Sequence, residues 1–391
     1  MKKSSDFMSS NKNFFLKHFG PSCIAGITAS DLLILLAENG FRVSPRYWGK
    51  LPFLMGSSVV STVFKAIEQA FYDSKLRELQ VQTPIFILGN WRSGTTHLHN
   101  LLCLDERYSF SNMYQTMYPH TFLTCEFWAR PLLDLMTPKK RFMDNMKQGL
   151  QEPHEDEMAL CIASRRSNML SWAFPRRADH YDRYLSFEGV DATERTIWKR
   201  EFDYFVRKLT LKTGKRLVLK SPNHTARIKL LLELYPDAKF LHIKRNPYDV
   251  FKSMCHMTSE VVDVWGLQYF PPEGIPDMVI ETYKRLYDAY LDQVGLIPDG
   301  NLHEVAYEDV VDSPVEQLEQ TYAALGLGEF DAVRPKLEEY AAAKSGYKRN
   351  KHVEIPDEQR QKINTEWKRV FDAFGYEVKT SNEQPADANE A

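Results

Sequence analysis

Thr83-Pro84-Ile85-Phe86-Ile87-Leu88-Gly89 is a short, wholly apolar run closed by a glycine, and helical spacing resumes from Thr96 to Leu104. Apolar residues in succession, without polar alternation, describe a strand covered on both faces, as in a parallel sheet flanked by helices. A strand that stops at a glycine and re-enters a helix leaves several backbone N–H groups converging where the helix dipole favours an anion. The spacing Gly89-x4-Gly94 keeps the frame of a phosphate-binding loop, yet Thr95 stands where nucleotide-hydrolysing enzymes carry lysine.

The same rhythm returns downstream. Arg216 to Lys220 reads as a strand, Ser221-Pro222-Asn223 as a turn, and Ile228, Leu231, Leu232 and Leu234 as the apolar face of a helix. Lys239 to Ile243 is a further apolar strand running into Lys244-Arg245-Asn246-Pro247 and a helix from about Tyr248, and Asn301 to Ala306 supplies another strand. Strands alternating with helices predict an α/β fold, a P-loop-like parallel β-sheet flanked by helices. Residues 1–80 read as a helical N-terminal extension broken at Gly40, Pro45 and Pro52, and 81–378 as the catalytic domain. Within it, 105–210 forms a mostly helical insertion without a strand pattern, Pro356 to Phe374 a terminal helix, and 379–391 a polar tail.

With 50 basic and 52 acidic residues, the net charge of −2 provides no global basic field, so nucleic acid is not an expected partner and any anion site must be local. Cys23, Cys103, Cys125, Cys161 and Cys255 are odd in number and scattered, which fits a reducing cytoplasm and predicts neither a disulfide framework nor a metal site. Ser4, Ser5 and Asp6 follow Lys2 and Lys3 where a secretion signal needs an apolar run. Leu51 to Phe64 is shorter than the roughly 20 residues that span a bilayer. A buried helix is the plainer reading of that stretch, and an interfacial helix making peripheral membrane contact is the other.

The strand Lys239 to Ile243 ends in Lys244-Arg245, where a kinase or NTPase needs an acidic residue for Mg²⁺. The loop instead contains a cation, Arg92, suited to neutralising charge on a transferred group without metal. Taken alone the loop is also compatible with a structural turn. The segment Pro84-Ile85-Phe86-Ile87-Leu88-Gly89-Asn90-Trp91-Arg92-Ser93-Gly94-Thr95-Thr96 resembles the 5′-phosphosulfate loop of sulfotransferases that use 3′-phosphoadenosine 5′-phosphosulfate (PAPS). Phe240 to Ser253 resembles that family's second motif, in which an arginine and a serine grip the donor's 3′-phosphate; Arg245 and Ser253 match them. The resemblance spans roughly residues 83–375 and is nearest to bacterial members acting on lipid, steroid or small-molecule alcohols. It implies that Arg92, Ser93, Gly94, Thr95 and Thr96 bind the donor's phosphosulfate. Gly346 to His352 is loosely similar to the basic segment that closes over the donor, so Lys348 and Arg349 are carried over with it; a solvated basic turn is the other reading. Asn90-Trp91 departs from the proline that the loop often carries.

Sulfuryl transfer needs a base for the acceptor proton. Gln151-Glu152-Pro153-His154-Glu155-Asp156-Glu157 supplies His154 as first nominee and Glu155 as second, on a helix expected to start near His154. An exposed acidic helix start is the competing reading. Lys220, at a strand end, is expected near the sulfuryl oxygens, with His224 beside it; His97 and His99 read as packing or surface residues. The methionines and aromatics between Tyr108 and Phe174 suit either core or a pocket for a hydrophobic alcohol such as a steroid or lipid. The rival readings are a P-loop kinase or NTPase and a non-catalytic nucleotide-binding protein.

Overall fold

A computed structural model describes residues 17–135, 137–138, 141, 148–344 and 354–379. Lys348 and Arg349 lie outside the described residues. One sheet of five parallel strands runs in the order β2-β3-β1-β4-β5, with β1 Ile85–Leu88, β2 Tyr108–Ser109, β3 Arg216–Lys220, β4 Lys239–Lys244 and β5 Leu302–Ala306. Phe86 sits in register with Leu219 on one side and Phe240 on the other. Side chains alternate across the pleat: Phe86, Leu88, Leu219 and Phe240 enter the larger core, while Ile85, Ile87, Val218 and Leu241 enter a smaller one opposite. Both faces are covered, which is why β1 is apolar throughout. From β1 the chain passes to β2 and β3 on one side before reaching β4 and β5 on the other. The crevice at the carboxyl ends of β1, β3 and β4 is where open α/β sheets bind ligands.

The 105–210 stretch does contain a strand, the two-residue β2, too short for any alternation to show in the sequence. The terminal helix is two helices, Asp357–Glu366 and Lys368–Phe374, separated at the fully buried Trp367, whose indole N–H donates to Ile280 O at 3.0 Å.

Helices α1 (Ala29–Glu38) and α2 (Leu51–Glu78) belong to the larger core through Leu32, Leu35 and Leu54, and Lys50 anchors their connection on the carbonyls of Val264 and Gly266. Pro52 does not interrupt α2 but occupies its first turn, where no N–H is needed. The reading of Leu51 to Phe64 as buried is overturned. Helix α2 buries Leu54, Ser58, Ser61, Glu68 and Leu76 and exposes Phe53, Met55, Val59, Val60, Val63, Ile67 and Phe71. Polar partners set this rotation: Glu68 pairs with Lys208 and accepts from the backbone N–H of Leu123 and Thr124, at 2.9 and 3.1 Å, in the first turn of α5 (Phe122–Asp134). No described helix is long and apolar enough to cross a membrane.

Candidate active site

The loop after β1 is fixed by residues far away in sequence. Gly89 (φ 139°) donates its N–H to Thr225 Oγ1 at 2.7 Å, and Asn90 donates its own to Tyr287 Oη at 3.3 Å. Where the resembled loops often carry proline, the Asn90 side chain bonds Trp91 O and Met254 Sδ, so hydrogen bonds supply the rigidity a ring would give. Gly94 (φ 102°) begins α3 (Thr95–Leu102), and a Cβ there would lie 2.3 Å from the Tyr307 ring. Arg92 holds a left-handed φ of 68° without being glycine, a strained geometry that sets its Nε 2.8 Å from Ser253 Oγ.

Ser253 lies in the helix Pro247–Trp265 that follows β4. Arg245, between the two, donates Nη1–H to Arg92 O at 2.9 Å and stacks its guanidinium 4.2 Å from the Tyr307 ring centre. The two motifs therefore meet at one place, and Arg245 Nε is buried there without a hydrogen-bond partner. A buried cationic N–H left unsatisfied is costly unless an anion completes it. Thr225, Tyr287 and Tyr307 carried no spacing signal; only the fold brings them to the loop.

The acidic run is neither exposed nor the start of a helix at His154. α6 spans Glu157–Ser164 with Asp156 as its N-cap, and both of these acids are fully buried. An isolated bridge from Pro153 to Asn112 and the bond from His154 N–H to Ser111 O (2.9 Å) hold the preceding residues extended. Each acid then meets one cation or imidazole from β3 or the turn after it. Glu155 pairs with Lys220 at 2.8 Å, Asp156 with His224 at 2.6 Å, and Glu157 with Arg227 through two bonds of 2.6 and 3.0 Å. Burial alone raises a carboxyl pKa, but the Lys220 ammonium outweighs it and holds Glu155 below its ordinary value; His224 does the same for Asp156.

Burial, reinforced by Lys220 and Arg141, pulls His154 down to about 4, so the ring is neutral at physiological pH. Thr116, in α4 (Met113–Met117), gives its one hydroxyl hydrogen to Met113 O at 3.1 Å. Its 2.8 Å contact with His154 Nδ1 is then the ring donating, and the lone pair of the neutral imidazole sits on Nε2.

Lys220 also approaches Thr96 Oγ1 at 3.4 Å, linking this cluster to the loop. Thr96, Trp91, His154, Glu155 and Lys220 line one part of a cavity of about 560 Å³. Met113, Met117, Met158, Met169, Trp172 and Met257 make its apolar wall, while Tyr114, Phe122 and Phe174 are core. Phe19, Cys23 and Phe53 bring the N-terminal segment into the same lining. His99 packs beneath with Nε2 3.3 Å from Val218 O, and His97 stacks on Tyr340. Among the described residues no group of three or more His, Cys, Asp or Glu is arranged to hold a metal ion.

Residues 84–332 match the Sulfotransferase family. The omega-hydroxy-beta-dihydromenaquinone-9 sulfotransferases Stf3 of Mycobacterium bovis and Mycobacterium tuberculosis are each 36% identical over 356 residues, 91% of this chain and 91% of theirs. Two crystal structures share the fold at low identity. STF1 of Mycobacterium tuberculosis aligns with a TM-score of 0.63 and 17% identity over 86% of this chain and 92% of its own. STF9 of Mycobacterium avium aligns with a TM-score of 0.64 and 16% identity over 90% and 98%.

Proposed function

This chain belongs to the sulfotransferase family, and from that premise we propose that it transfers the sulfuryl group of PAPS to the hydroxyl of a hydrophobic lipid alcohol. The observation that carries the reading is the cavity: one part is lined by a neutral histidine, a lysine–carboxylate pair and Trp91 and Thr96 of the loop, and methionines and aromatics make much of the rest. The donor fits the residues present. The buried, unpartnered Nε of Arg245 and the nearby Ser253 hydroxyl suit the 3′-phosphate, and the loop from Arg92 to Thr96 suits the phosphosulfate.

In this mechanism the acceptor oxygen forms its bond to sulfur as the sulfur–oxygen bond to the 5′-phosphate breaks, the electron pair leaving on the phosphate. The hydroxyl proton passes to His154 Nε2, with Glu155 the alternative base. Lys220 and Arg92 oppose the charge developing on the sulfuryl and leaving phosphate oxygens. The acceptor named for the two relatives, an omega-hydroxylated dihydromenaquinone, favours a lipid with a terminal hydroxyl over a compact steroid.

Purified protein given radiolabelled PAPS and a panel of lipid alcohols, sterols, phenols and sugars is expected to label the lipid alcohols. Turnover confined to sugars or phenols overturns the acceptor. Arg245→Ala is expected to weaken 3′-phosphoadenosine 5′-phosphate binding by about 10- to 100-fold, the loss of charge-assisted bonds of roughly 1.5–3 kcal/mol. Titration calorimetry checks this, and unchanged affinity contradicts the 3′-phosphate assignment.

A further inference from the structure

Helix α2 has its amphipathicity inverted. A helix facing water buries its apolar stripe, whereas this one turns Ser58, Ser61 and Glu68 inward and leaves Met55, Val59 and Val63 outside at 61%, 57% and 52% exposure. From Pro52 to Phe71, about 30 Å of helix, the only charged residues are Lys65, half-buried, and Glu68, buried. The apolar face continues onto α5. Phe64 of α2 touches Trp128 at a ring separation of 5.9 Å, and Trp128, Leu132 and Leu135 follow at helical spacing, all exposed. Apolar surface this continuous marks an interaction site.

The patch also reaches the mouth of the cavity. Phe53 of α2 and Phe19 are both exposed and part of its lining, and Leu133, beside Leu132 on α5, lines it too.

We propose that the exposed faces of α2 and α5 dock on a lipid bilayer, the helices lying in the headgroup region so that the acceptor slides from the membrane into the cavity past Phe19, Phe53 and Leu133. The inference rests on the lipid-alcohol reading of the acceptor. A bilayer is the occupant this geometry fits, because a second protein seated across the patch would cover the cavity rim through which a water-insoluble alcohol must enter. Aromatic side chains such as Trp128 and Phe127 are suited to the interfacial layer.

Flotation of the full chain with vesicles of equimolar phosphatidylcholine and phosphatidylglycerol tests the surface. The wild type is expected to float, and the triple variant Met55→Glu, Val59→Glu, Val63→Glu to lose about tenfold or more in vesicle partition. Its thermal melt should stay unchanged, since these side chains face outward. Sulfation of an alcohol embedded in the vesicles should fall by a similar factor, while a short-chain, water-soluble analogue is turned over at the wild-type rate. A wild type that stays with the unbound fraction overturns the proposal, as does a variant that floats equally well. A wild-type dimer that the variant converts to monomer, without vesicle binding, assigns the face to a second copy and overturns it too. Vesicle binding without sulfation of any lipid alcohol leaves the docking surface standing and sinks the acceptor reading.

Discussion

Replacing His154 with alanine is expected to slow turnover by about 10²- to 10⁴-fold, the range in which a positioned general base contributes, while affinity for 3′-phosphoadenosine 5′-phosphate stays at the wild-type level. The separation follows from place. His154 lines the cavity beside Glu155 and Lys220, whereas the proposed 3′-phosphate ligands, Arg245 and Ser253, lie across the loop. Single-turnover kinetics with pre-bound donor isolates the chemical step. If Glu155→Gln abolishes turnover and His154→Ala does not, the base is Glu155. The pH profile supplies a second readout. With His154 lowered to about 4 by burial first and then by Lys220, the free enzyme keeps its base unprotonated well below 6.5. The acidic limb of kcat/KM should therefore lie near pH 4. Donor charge entering the site raises the pKa of the ring, so the limb of kcat should lie higher. Stability moves with the same groups. The unfolded chain takes up protons at His99 and His154 as pH falls below 6.5, while the folded chain, with His99 near 3 and His154 near 4, does not. Folded-state stability is expected to decline as pH falls from 6.5 toward 4.

Glu157→Ala is expected to destabilise the fold by about 3–5 kcal/mol, the penalty for leaving a buried charge without its partner. Arg227 is fully buried, doubly bonded to Glu157, with its guanidinium 5.0 Å from the ring centres of both Phe187 and Trp198. Removing the carboxylate leaves that cation without a counter-charge, held by the carbonyls of Leu185 and Tyr184 and by the two rings. Replacing both partners, Glu157→Ala with Arg227→Met, should recover part of the loss, since the apolar pair buries no charge but leaves the carbonyls of Tyr184 and Leu185 without their donor. Urea denaturation of the single and double variants measures both; a single variant as stable as wild type contradicts the account.

The strands and the anion loop were legible because they are local: apolar runs ending in glycine or a basic pair report their own burial, and Gly89-x4-Gly94 reports a turn. Two-residue β2 was not legible, because a strand that short has no period. The acidic run misled for a different reason. Glu155, Asp156 and Glu157 look like solvated helix-start charges until β3 and its following turn bring up Lys220, His224 and Arg227, 65 to 70 residues later, and no local pattern encodes such pairing. Helix α2 misled because hydrophobicity alone makes a buried helix the plainer of its two readings, whereas Glu68, through Lys208 and the first turn of α5, decides which way it faces. Thr116 belongs to the site through a tertiary contact alone.

The succession of Glu155 with Lys220, Asp156 with His224 and Glu157 with Arg227 limits how this scaffold can be re-engineered. A designer wishing to retarget the enzyme would transplant the segment that walls the cavity from a cousin with another acceptor. That graft carries three acids whose partners stay behind in the host, so a one-residue insertion before α6 would slip all three pairings together. Specificity here is not a detachable module, and a workable chimera must exchange both halves of the interlock at once.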